Sequence, residues 1–151
     1  MPIWKSEVER LFEVLPLDDA MPDLRPAVQN LPARGLVSSI SSNVPAEVLA
    51  GLFLYVDDLE ASHEISQNSP GFIGSYWHAI MHRREGDFWN AKYWYRNALR
   101  HQALPELDYD PYAFTDACEQ DKGQNSPTLV ELQRQEWMTL FAECRRTVGD
   151  A

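Results

Sequence analysis

The sequence predicts an all-α protein: a single small helical domain, residues 1–151, with five to six helices. Apolar residues recur every three or four positions in most segments, as they do on one face of a helix. Prolines and glycines fall at the ends of these periodic segments, where helices begin and end. No segment alternates apolar and polar residues as a half-buried strand does. The length is sufficient to bury a core without disulfides or metals.

The N-terminal part predicts one helix followed by an irregular segment. Residues 3–15 form the helix because Val8, Leu11 and Leu15 share one of its sides. Residues 16–44 are rich in proline and have no period, so we expect a segment that wraps the domain with one or two short turns. Apolar residues recur in it, which favours an ordered segment over a flexible linker.

The middle of the chain predicts a long helix and then a helical hairpin. The long helix covers residues 42–67, with Pro45 in its first turn, and the sequence NSPG ends it. The next helix ends at Gly86, and Asp87 caps the helix that follows. A turn this short predicts an antiparallel hairpin over about residues 71–100.

The C-terminal third predicts two more helices, each opened by a capping residue and a proline. Asp110 and Pro111 begin a short helix, and Ser126 and Pro127 begin the last and longest one. Apolar residues at helical spacing continue through this last segment.

Composition and charge exclude some classes of partner. The net charge is −10, so we expect neither nucleic acid nor an anionic membrane as a partner. The pattern of the first residues predicts no secretory signal, and no apolar run predicts a membrane span. Cys118 and Cys144 are far apart in helical segments and are predicted to be buried free thiols, which favours a cytoplasmic location.

Three of the four histidines predict the position of a site. His63 lies near the end of the long helix, and His78 and His82 share a face of the next. With the turn centred near residues 69–70, antiparallel packing places Ser75 level with His63, and His78 level with Glu60. The predicted ligand-binding residues are Glu60, His63, Glu64, Ser75, His78, His82, Arg83 and Glu85.

Three interpretations of this polar cluster remain open. It can bind a small ligand or a divalent metal ion, zinc or iron, through His63, His78 and His82. It can belong to a metal-dependent enzyme, with Glu64 or Glu85 as the base for hydrolysis or oxidation. It can also be purely structural, closed by hydrogen bonds between its members. The H-E-x-x-H signature of zinc peptidases is absent.

Aromatic residues predict a possible surface for a protein partner. Trp89 and Tyr93 share a helix face with Arg96, which indicates an exposed rim. Such a rim can join two chains across a twofold axis, so a homodimer is one predicted assembly.

The stretch EGDFWNAKYWYRNAL resembles the second half of a tetratricopeptide hairpin. The Gly86–Asp87 turn and the small or aromatic residues Ala79, Ala91, Tyr95 and Ala98 occupy matching places. The resemblance covers about one repeat and departs from it at Ser75, His78 and His82. Stable arrays need several repeats. The resemblance therefore implies a TPR-like hairpin, and a protein-interaction module with a structural seam as an alternative function.

The segment SYWHAIMHRREGDFWNAKYWYR resembles a family of uncharacterised bacterial and fungal proteins. The later D-P-x-A-F motif and the glutamine-rich last helix are similar too, so the resemblance covers about residues 45–145. It supports the helix boundaries and the location of the site, and it implies no reaction.

Overall fold

A computed structural model describes residues 3–26, 31–103 and 107–148 of the chain. These residues form helices and no strand, which confirms the all-α class. They contain eight α-helices, more than the five to six predicted. Two 3-10 turns, Leu17–Asp19 and Ser41–Asn43, supplement them. In chain order the helices are α1 (Ile3–Val14), α2 (Leu31–Ile40), α3 (Ala46–Tyr55), α4 (Leu59–Ser66), α5 (Phe72–Glu85), α6 (Phe88–Leu99), α7 (Pro111–Asp121) and α8 (Pro127–Thr147).

The first additional helix is α2, which lies within the segment predicted to be irregular. Ala33, Val37 and Ile40 recur at helical spacing and are buried in the core. Burial of this apolar stripe stabilises a helix despite the nearby prolines. The prediction of an irregular segment over residues 16–44 is therefore wrong for residues 31–40. Residues 27–30 lie outside the described part of the chain.

The second additional helix arises because the predicted long helix breaks between α3 and α4. Asp57 adopts a left-handed backbone conformation, with φ of 64°. Asp58 then caps α4, its Oδ1 accepting a hydrogen bond of 3.2 Å from the Ala61 amide. Buried Arg84 donates to the Leu54 carbonyl oxygen at 2.8 Å and to Asp57 Oδ1 at 2.6 Å. The break therefore supplies two acceptors to a buried cation.

Helix α5 is the centre of the fold. Every residue from Phe72 to Arg84 is buried. Gly51 of α3 allows Trp77 to pack closely, because a Cβ at that position would lie 2.5 Å from Trp77 Cζ2. Trp137 of α8 donates through Nε1 to the Gly51 carbonyl oxygen at 2.8 Å. These contacts join α3, α5 and α8.

The hairpin of α5 and α6 forms where the sequence predicts it. Gly86 ends α5 in the left-handed conformation, with φ of 91°. Asp87 caps α6, its Oδ1 accepting from the Asn90 amide at 3.2 Å. The likeness of this hairpin to a tetratricopeptide repeat stays a prediction. No helix in the described ranges has both the length and the apolar character needed to cross a membrane.

Candidate metal centre

Three histidines meet between α4 and α5. His78 and His82 lie one turn apart on α5, and their ring centroids are 4.8 Å apart. His63 of α4 lies 4.9 Å from the His78 ring and 5.4 Å from the His82 ring. One nitrogen from each ring can be chosen so that all three lie within 4.8 Å of one another. A group of three nitrogens this close together could hold a metal ion.

The cluster is buried but is not closed by hydrogen bonds. His78 and His82 are 4% and 9% exposed, and His63 is half-buried. The Nδ1 atoms of His78 and His82 are buried and accept or donate no hydrogen bond within the described residues. Buried polar atoms in proteins nearly always have partners. Within the described residues, hydrogen bonds between members of the cluster thus do not satisfy these two nitrogens.

Burial keeps the two α5 imidazoles neutral. Burial, together with smaller effects of the nearby His82 and His63 rings, lowers the pKa of His78 to about 3. Burial also lowers the pKa of His82, although Glu85 opposes this shift. The neutral imidazole is the form that binds metal ions. At neutral pH both rings are thus ready to act as ligands.

An aromatic side chain covers the cluster on the α6 side. The Trp94 ring stacks on His78, with centroids 4.0 Å apart and planes 13° from parallel. Tyr93 meets the edge of Trp94 at 5.2 Å. Sequence reasoning did not include Trp94 in the site. The short turn between α5 and α6 was a signal that could have placed Trp94 beside His78. In an antiparallel hairpin, residues equally far from the turn lie opposite each other, and His78 and Trp94 are equally far along the chain from Gly86.

Carboxylates lie on the solvent side of His82. Glu85 is exposed, and its Oε2 lies 3.4 Å from His82 Nδ1, an ion-pair distance without hydrogen-bond geometry. Asp87 completes a second group of potential ligands with His82 and Glu85. However, both Asp87 oxygens already accept hydrogen bonds from Asn90, since this side chain caps α6. Glu85 is thus the available carboxylate at the edge of the cluster.

Three of the predicted seam residues lie elsewhere. Glu60 and Glu64 are exposed, so the predicted pair of Glu60 with His78 is wrong. Ser75 is buried, and its hydroxyl accepts a hydrogen bond from Asn97 Nδ2 of α6 at 2.8 Å. The reason is the break before α4, which shifts the register of this helix along α5. His63 consequently meets His78 and His82.

Arg83 is also not part of the histidine cluster. It is buried in the core, where Nη1 donates to Glu136 Oε1 at 2.6 Å and to the Tyr95 hydroxyl at 2.5 Å. Its Nη2 donates to Gln133 Oε1 at 3.2 Å. The prediction of Arg83 as a ligand-binding residue is corrected by these contacts, because they occupy its guanidinium within the protein.

The predicted surface aromatics are exposed. Trp89 and Tyr93 are 75% and 47% exposed, and their rings stack with centroids 6.2 Å apart. The homodimer inferred from them stays a prediction. The two cysteines are free and buried, as expected from the sequence.

The chain was compared with protein-family models, with curated proteins and with solved structures, and none of the three comparisons gave a match. The resemblance to a bacterial and fungal family therefore stays a prediction. The functional argument depends on the geometry of the histidine cluster alone.

Proposed function

We propose that this protein binds one divalent transition-metal ion, zinc or iron, through His63, His78 and His82. One observation carries the proposal: three imidazoles converge with nitrogens within 4.8 Å, and the buried Nδ1 atom of His78 has no hydrogen-bond partner among the described residues. An ion bound to this nitrogen would supply the interaction that the described residues do not.

The chemistry of the ligand set suits both metals. Imidazole nitrogen binds zinc and iron, and proteins bind these ions through neutral rings. The pKa of His78, about 3, means that binding at neutral pH displaces no proton from this ring. Three protein ligands leave at least one position of a four-coordinate ion for water or a small molecule.

The surroundings of the cluster would fix the orientation of the rings. Trp94 stacks on His78, and the Glu85 carboxylate lies beside Nδ1 of His82. A carboxylate next to the second nitrogen of a ligating histidine is a recurrent way to orient that ring. Glu85 thus supports the site without being needed as a ligand.

Metal analysis of untagged protein, purified without chelators, tests the proposal. We expect about one equivalent of bound zinc or iron, or one equivalent of zinc taken up by metal-free protein in calorimetry. The His63→Ala variant should lose this binding, because it lacks one of the three ligands. It should still fold, because the His63 side chain is only half-buried. His101→Ala is the matched control, since His101 is exposed and outside the cluster. Absence of binding for zinc, iron, manganese, nickel and copper would refute the proposal.

A further inference from the structure

A groove of about 790 Å³ opens beside the histidine cluster. It lies where α4 begins and where α5 and α7 end, and residues 25–26 form another side. The lining residues that matter for recognition are Arg25, Leu59, Arg84, Glu85, Glu119 and Lys122.

The groove lies one helical turn from the histidines on both neighbouring helices. Leu59 is four residues before His63 on α4, and Glu85 is three residues after His82 on α5. Residues at these spacings share a helix face and are about 5.4 Å apart along the axis. Glu85 lines the groove and also contacts His82. The groove therefore extends to the edge of the cluster.

Cationic side chains are concentrated in this groove, although the chain has a net charge of −10. Arg25, Arg84 and Lys122 all line it. Arg84 is neutralised by Asp57 at 2.6 Å. No ion pair within the described ranges joins Arg25 or Lys122 to a carboxylate. These two cationic side chains can therefore form ion pairs with a bound anion.

Arg25 is held in place by its neighbours. Its guanidinium packs directly against Gly86, where a side chain would leave no room: a Cβ added to Gly86 would lie 2.3 Å from Arg25 Nη2. The guanidinium carbon lies 5.9 Å from the centre of the Phe88 ring, and Nη2 donates to the Glu85 carbonyl oxygen at 3.4 Å. A positioned guanidinium loses less conformational entropy when it binds an oxyanion.

We propose that this groove binds a small organic acid, whose carboxylate or phosphate group contacts Arg25 and Lys122. The rest of the molecule lies along Leu59 and Glu85 and extends toward the histidines. Only this orientation rests on the proposed metal function, whereas binding of the anionic group does not. The acidic side chains Glu85 and Glu119 disfavour a second anionic group near them in the metal-free protein. A molecule with its anionic group at one end therefore fits the lining best.

Calorimetry and amide chemical-shift mapping on metal-free protein test the groove, with the monocarboxylate butyrate and inorganic phosphate as probes. At low ionic strength we expect saturable binding, with shifts centred on Leu59, Glu85 and Lys122. The stronger probe identifies which oxyanion is preferred. Arg25→Gln should weaken binding about tenfold, the loss of one charge-assisted hydrogen bond. Arg100→Gln is the control, because Arg100 is an exposed arginine outside the groove.

A variant with the opposite effect separates binding from folding defects. Glu119→Gln removes an exposed negative charge from the lining and should tighten binding about threefold. Non-saturable shifts, shifts centred elsewhere, or equal effects of Arg25→Gln and Arg100→Gln would overturn the proposal.

Zinc-loaded protein tests the direction of the bound molecule. Succinate should bind more tightly to zinc-loaded protein than to metal-free protein, and the His63→Ala variant should abolish this gain. Unchanged affinity with zinc bound would refute the extension toward the histidines. If zinc does not bind at all, the metal proposal fails, and the metal-free measurements still decide whether the groove binds organic acids.

Discussion

The buried pair of Arg83 and Glu136 predicts a large loss of stability when the carboxylate is replaced by an amide in Glu136→Gln. Both side chains are almost fully buried, at 1% and 0% exposure. Glu136 accepts from Arg83 at 2.6 Å, from the Tyr95 hydroxyl at 2.7 Å and from the Tyr109 hydroxyl. Although burial opposes the charge on Arg83, Glu136 raises the pKa of this guanidinium above its ordinary value. Arg83 stays charged after the substitution as well, because a guanidinium keeps its proton in proteins.

The expected cost follows from leaving a charged guanidinium buried without a counter-ion. Removal of one partner from a buried ion pair costs about 3–5 kcal/mol. Glutamine keeps one acceptor oxygen for Arg83, so we expect about 3 kcal/mol, the lower end of that range. Domains of this size unfold with a free energy of about 5–15 kcal/mol, so the variant should fold but be clearly weakened.

Urea unfolding followed by circular dichroism measures this loss. The matched control is Asp116→Asn, because Asp116 forms an ion pair with Lys92 at 2.5 Å and the two side chains are 48% and 35% exposed. An exposed pair contributes about 0–1 kcal/mol. If Glu136→Gln does not fold, the double variant Arg83→Met with Glu136→Leu should fold, since it removes both charges together. Equal small losses in Glu136→Gln and Asp116→Asn would refute the reasoning.

Three further predictions concern other parts of the fold. When the pH is lowered from about 7.5 to 5.5, the free energy of unfolding of the metal-free protein should fall by about 1.4 kcal/mol because of His78. The imidazole binds a proton in the unfolded state, whereas in the folded state, with a pKa of about 3, it does not. Urea unfolding at both pH values should give a smaller loss in His78→Gln. Gly51→Ala should cost about 1–3 kcal/mol by overpacking against Trp77, and a lower thermal midpoint checks this. If Trp89 and Tyr93 join two chains, light scattering should give a mass above 17.3 kDa that falls in Trp89→Ser.

The ends of several helices were predictable because capping is local chemistry. Asp87 and Asp110 cap their helices through side-chain oxygens, as their positions before apolar segments indicated. Gly86 takes the left-handed conformation that ends α5. Ser126 is a partial exception: its side chain makes no capping hydrogen bond, although Pro127 opens α8 as predicted. These signals lie within a few residues of the structure that they determine.

The break between α3 and α4 could not be predicted from local signals. The apolar stripe continues through Val56, and it outweighs the weak local signals for a break, which are an Asp57 that tolerates the left-handed conformation and an Asp58 that can cap a helix. The cause is Arg84, which lies 27 residues later and needs both the Asp57 carboxylate and the Leu54 carbonyl oxygen. A tertiary interaction thus overrides a local preference for a continuous helix.

The same distinction explains which site predictions agreed with the geometry. His78 and His82 share a face because they are four residues apart, and the short connection brings His63 to them. Glu60 was misplaced because its position depended on an unbroken helix. Arg83 was misplaced because its partner Glu136 lies 53 residues away on α8. Spacing on one helix was thus informative, whereas the register between helices was not.

The three consecutive polar residues near the end of α5 explain how the cluster is held. Successive residues point about 100° apart around a helix, so His82, Arg83 and Arg84 face three different directions. Arg83 is bound by Glu136 of α8, and Arg84 is bound by Asp57 before α4. These two buried ion pairs fix the rotation of α5 about its own axis. Because His78 and His82 belong to the same rigid helix, their rings are positioned before any ion binds. The two buried ion pairs of the core therefore also position two of the three histidines of the candidate metal centre.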